Sequence, residues 1–184
     1  MRELGVGVGL LYLTAIAVAQ APESKAAPPA ASLQRPIGTL AQVMRGILFP
    51  NSNLIFDVQQ IDPDAPRKKT TDGASAGASA DFANVYTGWQ VVENAALALN
   101  EAADMIAKPG RLCDNGKPAP TSRADYQKFS QGLRDVSRKA YAAAQTKDKE
   151  KVSDIANDLA DACASCHEIY RDKGDAQSPL RCTP

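Results

Sequence analysis

The stretch VSDIANDLADACASCHEIY, residues 152–170, indicates the fold class of this chain. Its apolar residues recur every three or four positions, at Val152, Ile155, Leu159, Ala162, Cys166 and Ile169. This spacing is typical of one face of an amphipathic helix, and the pattern predicts that the helix ends near residues 172–174. A helix with one apolar face must bury that face, so partner helices are expected elsewhere in the chain.

Three further segments carry the same pattern. The first spans residues 38–60 and places four apolar residues on one face, Leu40, Val43, Met44 and Ile47; Pro50 is expected to kink or restart it. The second spans residues 81–107, with its seam at Phe82, Val85, Trp89, Val92, Ala96, Leu99 and Ala103. Ser122 and Asp125 have the spacing of a capping box. They open a third helix with its seam at Tyr126, Phe129, Leu133, Val136 and Ala140.

Composition agrees with a helical protein. Ala is abundant, Val and Ile are scarce, and no run alternates as a strand would. Residues 37–184 are therefore predicted to form an all-α, antiparallel four-helix bundle, with residues 62–80 as a long polar loop. Lys and Arg together number 21, as do Asp and Glu, so no charged footprint for nucleic acid is present.

The N-terminus has the layout of a secretory signal peptide. An uncharged apolar stretch, residues 4–21, ends in Ala17-Val18-Ala19, which places small residues before a cleavage site. We expect residues 1–19 to be removed, residues 20–36 to form a flexible Pro- and Ala-rich lead, and the mature protein to be soluble in the periplasm. The alternative is an uncleaved membrane anchor.

Cys163, Cys166 and the single histidine, His167, lie within one helical turn and project to one side. Three chemistries use such a cluster, namely a redox dithiol, a zinc site and covalent haem. A redox dithiol usually opens a helix beside a strand, whereas this pair lies near a helix C-terminus. A zinc site with Cys182 as its fourth ligand would need tetrahedral geometry, which three ligands on one turn suit poorly.

The spacing C-x-x-C-H is the attachment signature of haem c. Two thioether bonds hold the porphyrin, the adjacent histidine ligates the iron, and a bundle core supplies the apolar wall. We therefore expect one covalently attached haem c, bound through Cys163 and Cys166 with His167 as an axial ligand. It would lie near the C-terminus of the last helix.

The C-terminal sequence CASCHEIYR, on the last helix of an exported helical chain, resembles the class II cytochromes c, meaning cytochrome c-prime and its low-spin relatives. The resemblance implies a four-helix bundle, and it implies that Arg171 lies near the proximal histidine and the haem edge. The chain departs from the family at Leu40, where an arginine is typical, and at Pro50.

In this family the first helix supplies the residue that faces the other side of the iron. Met44 and Met105 are the candidates, and Met44 lies at the matching level of its helix and on the seam. A methionine ligand favours low-spin electron transfer, so we expect an electron carrier rather than an enzyme, served by redox partner proteins. Two alternatives stay open if Met44 only fills core space: a five-coordinate protein that binds NO or CO, or a haem subunit of a larger oxidoreductase. A homodimer through the first and second helices is a further expectation.

Cys113 and Cys182 remain after haem attachment. Each follows the end of a helix, and in an antiparallel bundle both ends lie at the same pole. In an oxidising compartment the two are expected to form a disulfide.

Overall fold

The computed structural model describes residues 35–66, 85–172, 174, 178 and 180–183. Within these ranges the chain forms four helices and no strand: α1 (residues 40–59), α2 (Trp89–Ala107), α3 (Ala124–Gln145) and α4 (Lys149–Tyr170). This confirms the prediction of an all-helical protein. The signal peptide, most of the lead, Phe82 and residues 67–80 of the long loop lie outside the described residues.

The four helices pack side by side around a shared core. Helix α2 packs along α3, α3 packs along α4, and α1 packs against both α2 and α4. Seven alanines of α2 and α3 are buried in the core, where their small side chains take little space: Ala95, Ala96, Ala102, Ala103, Ala140, Ala143 and Ala144. None of the described helices is both long and apolar enough to cross a membrane.

Most predicted seam positions are buried. In α2, α3 and α4 these are Trp89, Val92, Ala96, Leu99, Ala103, Tyr126, Leu133, Val136, Ala140, Val152, Ile155 and Leu159. Phe129 and Cys166 are half-buried and pack against this core. They are less covered because both line a cavity described below.

Helix α1 consists of four consecutive segments with three different hydrogen-bonding patterns. It begins with α-helix Leu40–Val43, widens to π-helix Met44–Leu48, returns to α-helix Phe49–Phe56 and ends in a 3₁₀ turn, Asp57–Gln59. Thr39 caps its start, because its hydroxyl accepts a hydrogen bond from the Gln42 N–H while the Gln42 side chain accepts one from the Thr39 N–H. This is a reciprocal capping box.

The α-helical pattern restarts at Phe49–Phe56 with Pro50 in its first turn, as the sequence predicts, and the backbone stays helical across this point. A proline in a helix lacks an N–H and crowds the carbonyl four residues earlier. The π-helical turn immediately before it widens the backbone, and the Phe49 N–H donates to the Met44 carbonyl five residues back. The Asn51 side-chain amide donates to the Ile47 carbonyl at 2.7 Å, which supplies a donor one residue after the proline.

Two predicted helix starts differ from the structure. Helix α2 begins at Trp89, after Gly88 with φ of 61°, so Val85 is exposed rather than on the seam. A side chain at Gly88 would also meet the Pro63 carbonyl oxygen at 3.0 Å. Helix α3 has no side-chain cap, and Ser122 forms no capping box. Asp125 instead binds Arg123 and the Tyr170 hydroxyl, which draws its carboxylate toward α4.

Candidate functional site

One end of the helical core opens into a cavity of about 680 Å³. Its walls come from all four helices, from the loop after α2 and from the segment after α4. This volume falls within the range of about 300–1,000 Å³ that binds small molecules and cofactors. Apolar side chains that line it are Leu40, Leu48, Phe49, Phe56, Leu99, Ile106, Tyr126, Phe129 and Leu133.

Helix α4 contributes Cys163, Cys166 and His167 to the cavity wall. Helical spacing of three and four residues places all three on the same side, as the sequence predicts. All three side chains are half-buried, and both thiols are free. Within the described part of the chain neither the thiols nor the imidazole has a hydrogen-bond or ion-pair partner. These side chains are therefore available to a ligand in the cavity.

The cavity environment keeps these groups uncharged at neutral pH. Burial raises the pKa of Cys163, and it raises the pKa of Cys166 to about 11. A redox dithiol of the thioredoxin type has a thiol with a lowered pKa, so the direction here is opposite. Burial also lowers the pKa of His167, and the positive charges of Arg171 and Arg181 add to this effect. A neutral imidazole keeps a free lone pair for metal ligation.

Met44 lines the same cavity from α1. It is the first residue of the π-helical turn, and Arg45 and Leu48 from this turn also line the cavity. Turns of this kind are frequent at functional sites in proteins. Met105 does not line the cavity, and its residue is 40% exposed. The structure therefore brings together the four residues that the sequence analysis groups at the iron, which are Met44, Cys163, Cys166 and His167.

The aromatic wall of the cavity comes from α3 and from the end of α4. Tyr126 and Phe129 both meet the Tyr170 ring edge-on, with ring centroids 5.3 and 6.4 Å apart. The Tyr126 hydroxyl donates to the Ile106 carbonyl at 3.1 Å. The helical spacing predicts Tyr126 and Phe129 only as seam residues. Tyr126, Phe129 and Leu133 are spaced so that they lie on one face of α3. This shared face is the sequence signal that could have assigned them to the cavity.

A polar network closes the outer side of Tyr170. Its hydroxyl donates to the Asp125 carboxylate at 2.7 Å and accepts from the Arg123 side chain at 3.0 Å. Hydrogen bonds from Arg123 and from Tyr170 lower the pKa of Asp125 to about 2. This network joins the start of α3 to the end of α4 next to the cavity.

Charged residues line the rim of the cavity. Arg45 pairs with Asp114 at 2.9 Å, and Arg171 pairs with Asp172 at 2.7 Å. The Arg171 N–H also donates to the His167 carbonyl at 2.8 Å. Arg171 thus lies beside the histidine, and its charge acts on the imidazole. Arg181, which the sequence analysis does not consider, lines the same rim.

Cys113 and Cys182 are joined as a disulfide, the pairing expected from the sequence. Their Cα atoms are 6.2 Å apart, although 69 positions separate them in the chain. Both residues are buried, and both line the cavity. The bond ties the loop after α2 to the segment after α4, so the wall of the cavity is cross-linked at this point.

Among the described residues, no group of three or more His, Cys, Asp or Glu side chains is arranged to hold a metal ion by itself. No protein-family model, curated protein or solved structure matches the chain. The site is therefore interpreted from its own residues.

Proposed function

We propose that this chain is an exported c-type cytochrome that carries one covalent haem c and transfers electrons. The haem would be held through Cys163 and Cys166, with His167 and Met44 as axial ligands. One observation carries the proposal: these four residues, from two different helices, line a single apolar cavity of about 680 Å³. A haem bound there would supply one-electron redox chemistry.

The residues of the cavity fit this group. The two thiols are free and lie one helical turn apart, as attachment at two points on one porphyrin edge requires. The adjacent imidazole has no competing partner within the described residues and is neutral at neutral pH. The apolar side chains of α1 and α3 would exclude water from both faces of a flat cofactor.

The helix contacts support the arrangement of a class II cytochrome c. Tyr126, at the start of α3, contacts Ile106 at the end of α2 and Tyr170 at the end of α4. These contacts favour an antiparallel order of neighbouring helices. The disulfide favours an oxidising compartment, which supports export to the periplasm. Redox proteins are the partners that such a carrier would serve, and a homodimer or a larger oxidoreductase containing this subunit is compatible with it.

A second function depends on the distal side of the cavity. Leu40 and Leu48 line the cavity together with Met44. If these apolar side chains occupy the sixth position in place of the Met44 sulfur, the protein would bind a small gas such as NO or CO. The identity of the sixth ligand therefore separates an electron carrier from a gas-binding protein.

Coordination can be tested on protein produced with a haem maturation system. Covalent haem should appear as a mass increase of the intact chain, and the wild-type spectra should be low-spin without rapid CO binding. Met44→Ala should become high-spin and bind CO, because the sixth ligand is lost. Met105→Ala is the matched control, since Met105 does not line the cavity, and it should keep the wild-type spectrum.

Each contrary result has a defined meaning. A chain without covalent haem would refute the cytochrome. A wild-type protein that is high-spin and binds CO readily would instead support the gas-binding function. Identical spectra for wild type and Met44→Ala would exclude Met44 as a ligand.

A further inference from the structure

Arg181 and Cys182 form part of the cavity wall beyond the end of α4, and the described backbone around them is held at several points. The Cys182 N–H donates to the Tyr170 carbonyl at 2.7 Å, and Cys182 is bonded to Cys113. The Asn115 side-chain amide donates to the Ser178 carbonyl at 3.3 Å and to the Arg181 carbonyl at 3.0 Å. The backbone of Arg181 is thus held by Asn115 at its own carbonyl and by the disulfide at the next residue, Cys182.

The side chain of Arg181 differs from the other two arginines of the rim. Arg45 and Arg171 each pair with an aspartate, whereas within the described residues Arg181 has no ion pair. Its charge nevertheless reaches the site. The hydrogen bond from Thr39 is the main cause that lowers the pKa of Asp114, and the charge of Arg181 adds to it. Arg181 also lines the same cavity as His167.

We propose that the disulfide positions Arg181 to pair with a carboxylate of the bound haem and thereby to raise the reduction potential of the iron. This inference rests on the proposed function. A cation held near the iron favours the reduced state, because reduction removes one positive charge from the site. Arg181 is available for this role because, among the described residues, it forms no close ion pair, although its charge is felt by Asp114 and Asp172. Arg181 would act through its charge on the haem carboxylate, and it would not ligate the iron.

The experiment measures the midpoint potential of the haem-loaded protein by spectroelectrochemistry. Arg181→Gln should lower the potential, with a shift of about tenfold in the ferric-to-ferrous ratio, or ~60 mV for one electron. Arg181→Lys should lower the potential by a smaller amount, because it keeps the charge but not the planar guanidinium. Arg138→Gln is the matched control, since Arg138 is exposed, pairs with Asp135 on α3 and does not line the cavity.

The role of the disulfide is tested by a double-mutant cycle. Cys113→Ala with Cys182→Ala should also lower the potential, because the segment that carries Arg181 is released. Adding Arg181→Gln to this variant should then produce little further change. If the shifts in potential of Arg181→Gln and of the double cysteine variant add fully, the disulfide does not position Arg181.

The outcomes separate this inference from the proposed function. Covalent haem in every variant, with Arg181→Gln at the same potential as Arg138→Gln, would overturn the role of Arg181 and leave the cytochrome intact. Absence of covalent haem from the wild type would overturn the cytochrome itself. The inference is supported if the midpoint potential of Arg181→Gln is lower than that of wild type, Arg138→Gln keeps the wild-type potential, and Arg181→Lys has an intermediate potential.

Discussion

The two cysteine pairs of this protein lie against one cavity but are built in opposite ways. Cys113 and Cys182 sit on segments outside the helices and are bonded to each other. Cys163 and Cys166 sit one turn apart on α4 and are free. The first pair is distant in sequence and joined in space, whereas the second is close in sequence and open toward the cavity.

This difference shows how one chain can hold cysteines both as a disulfide and as free thiols. A bond between distant segments removes much of the freedom of the unfolded chain, so it stabilises the fold. A bond within one helical turn would close only a short loop and contribute much less by this mechanism. The first pair is therefore suited to stability, and the second is suited to holding a cofactor.

Removal of the bonded pair should produce the largest effect on stability. The disulfide closes a loop of about 70 residues, so the chain-entropy model predicts a loss of about 4 kcal/mol for Cys113→Ala with Cys182→Ala. Denaturant unfolding of the wild type and the double variant measures this difference in the free energy of unfolding. A loss below about 1 kcal/mol would show that the bond does not constrain the unfolded chain as described.

The free pair should be slow to react in protein made without haem. Burial raises the pKa of Cys166 from 9.0 to about 11, so its thiolate fraction at pH 8 falls about 100-fold. Alkylation of Cys166 by iodoacetamide should slow by a similar factor relative to the same chain in denaturant. A Cys163→Ala background isolates the reaction of Cys166. A folded rate within a few-fold of the unfolded rate would contradict burial of this thiol.

The smallest effect on stability is expected at Asp125, which accepts a hydrogen bond from the Tyr170 hydroxyl. Its folded-state pKa of about 2 lies below the usual 3.8. Its contribution to stability is therefore present above pH 4 and is lost as the pH falls through 2. Asp125→Asn should be less stable than wild type at pH 5 and should converge with it near pH 2, as measured by denaturant unfolding across this range.

Asp135→Asn provides the control for this titration. Asp135 is an aspartate of α3 that pairs with Arg138, away from Tyr170. This variant should follow the wild-type pH profile. If the difference in the free energy of unfolding between wild type and Asp125→Asn stays constant from pH 5 to pH 2, the Asp125 carboxylate is excluded as the titrating group.

The parts of the site that depend on local spacing could be predicted from the sequence. Cys163, Cys166 and His167 share one helical turn, so their common side follows from helix geometry alone. The seams of α2, α3 and α4 follow from the same period. Met44 could be placed in the cavity because it lies on the seam of α1 near the end that faces the cluster.

Features that depend on contacts between distant segments could not be predicted in this way. Arg181 reaches the cavity because Asn115 and the disulfide hold its segment, and no spacing in the sequence encodes that path. Val85 is predicted on the seam of α2 but is exposed, since the turn at Gly88 delays the start of this helix. The capping box at Ser122 fails because Asp125 binds Arg123 and Tyr170 instead.

The π-helical turn of α1 has a consequence for sequence alignment. Buried positions in this helix are spaced by three or four residues, except for the step of five from Val43 to Leu48 that crosses the turn. A π turn holds one residue more than an α turn, so it acts as a one-residue insertion inside an otherwise regular helix. An alignment with a protein whose first helix is regular would need a one-residue gap within residues 44–48 to match the buried positions on both sides. Aligning the helix without that gap would shift every position after Leu48 onto the wrong face.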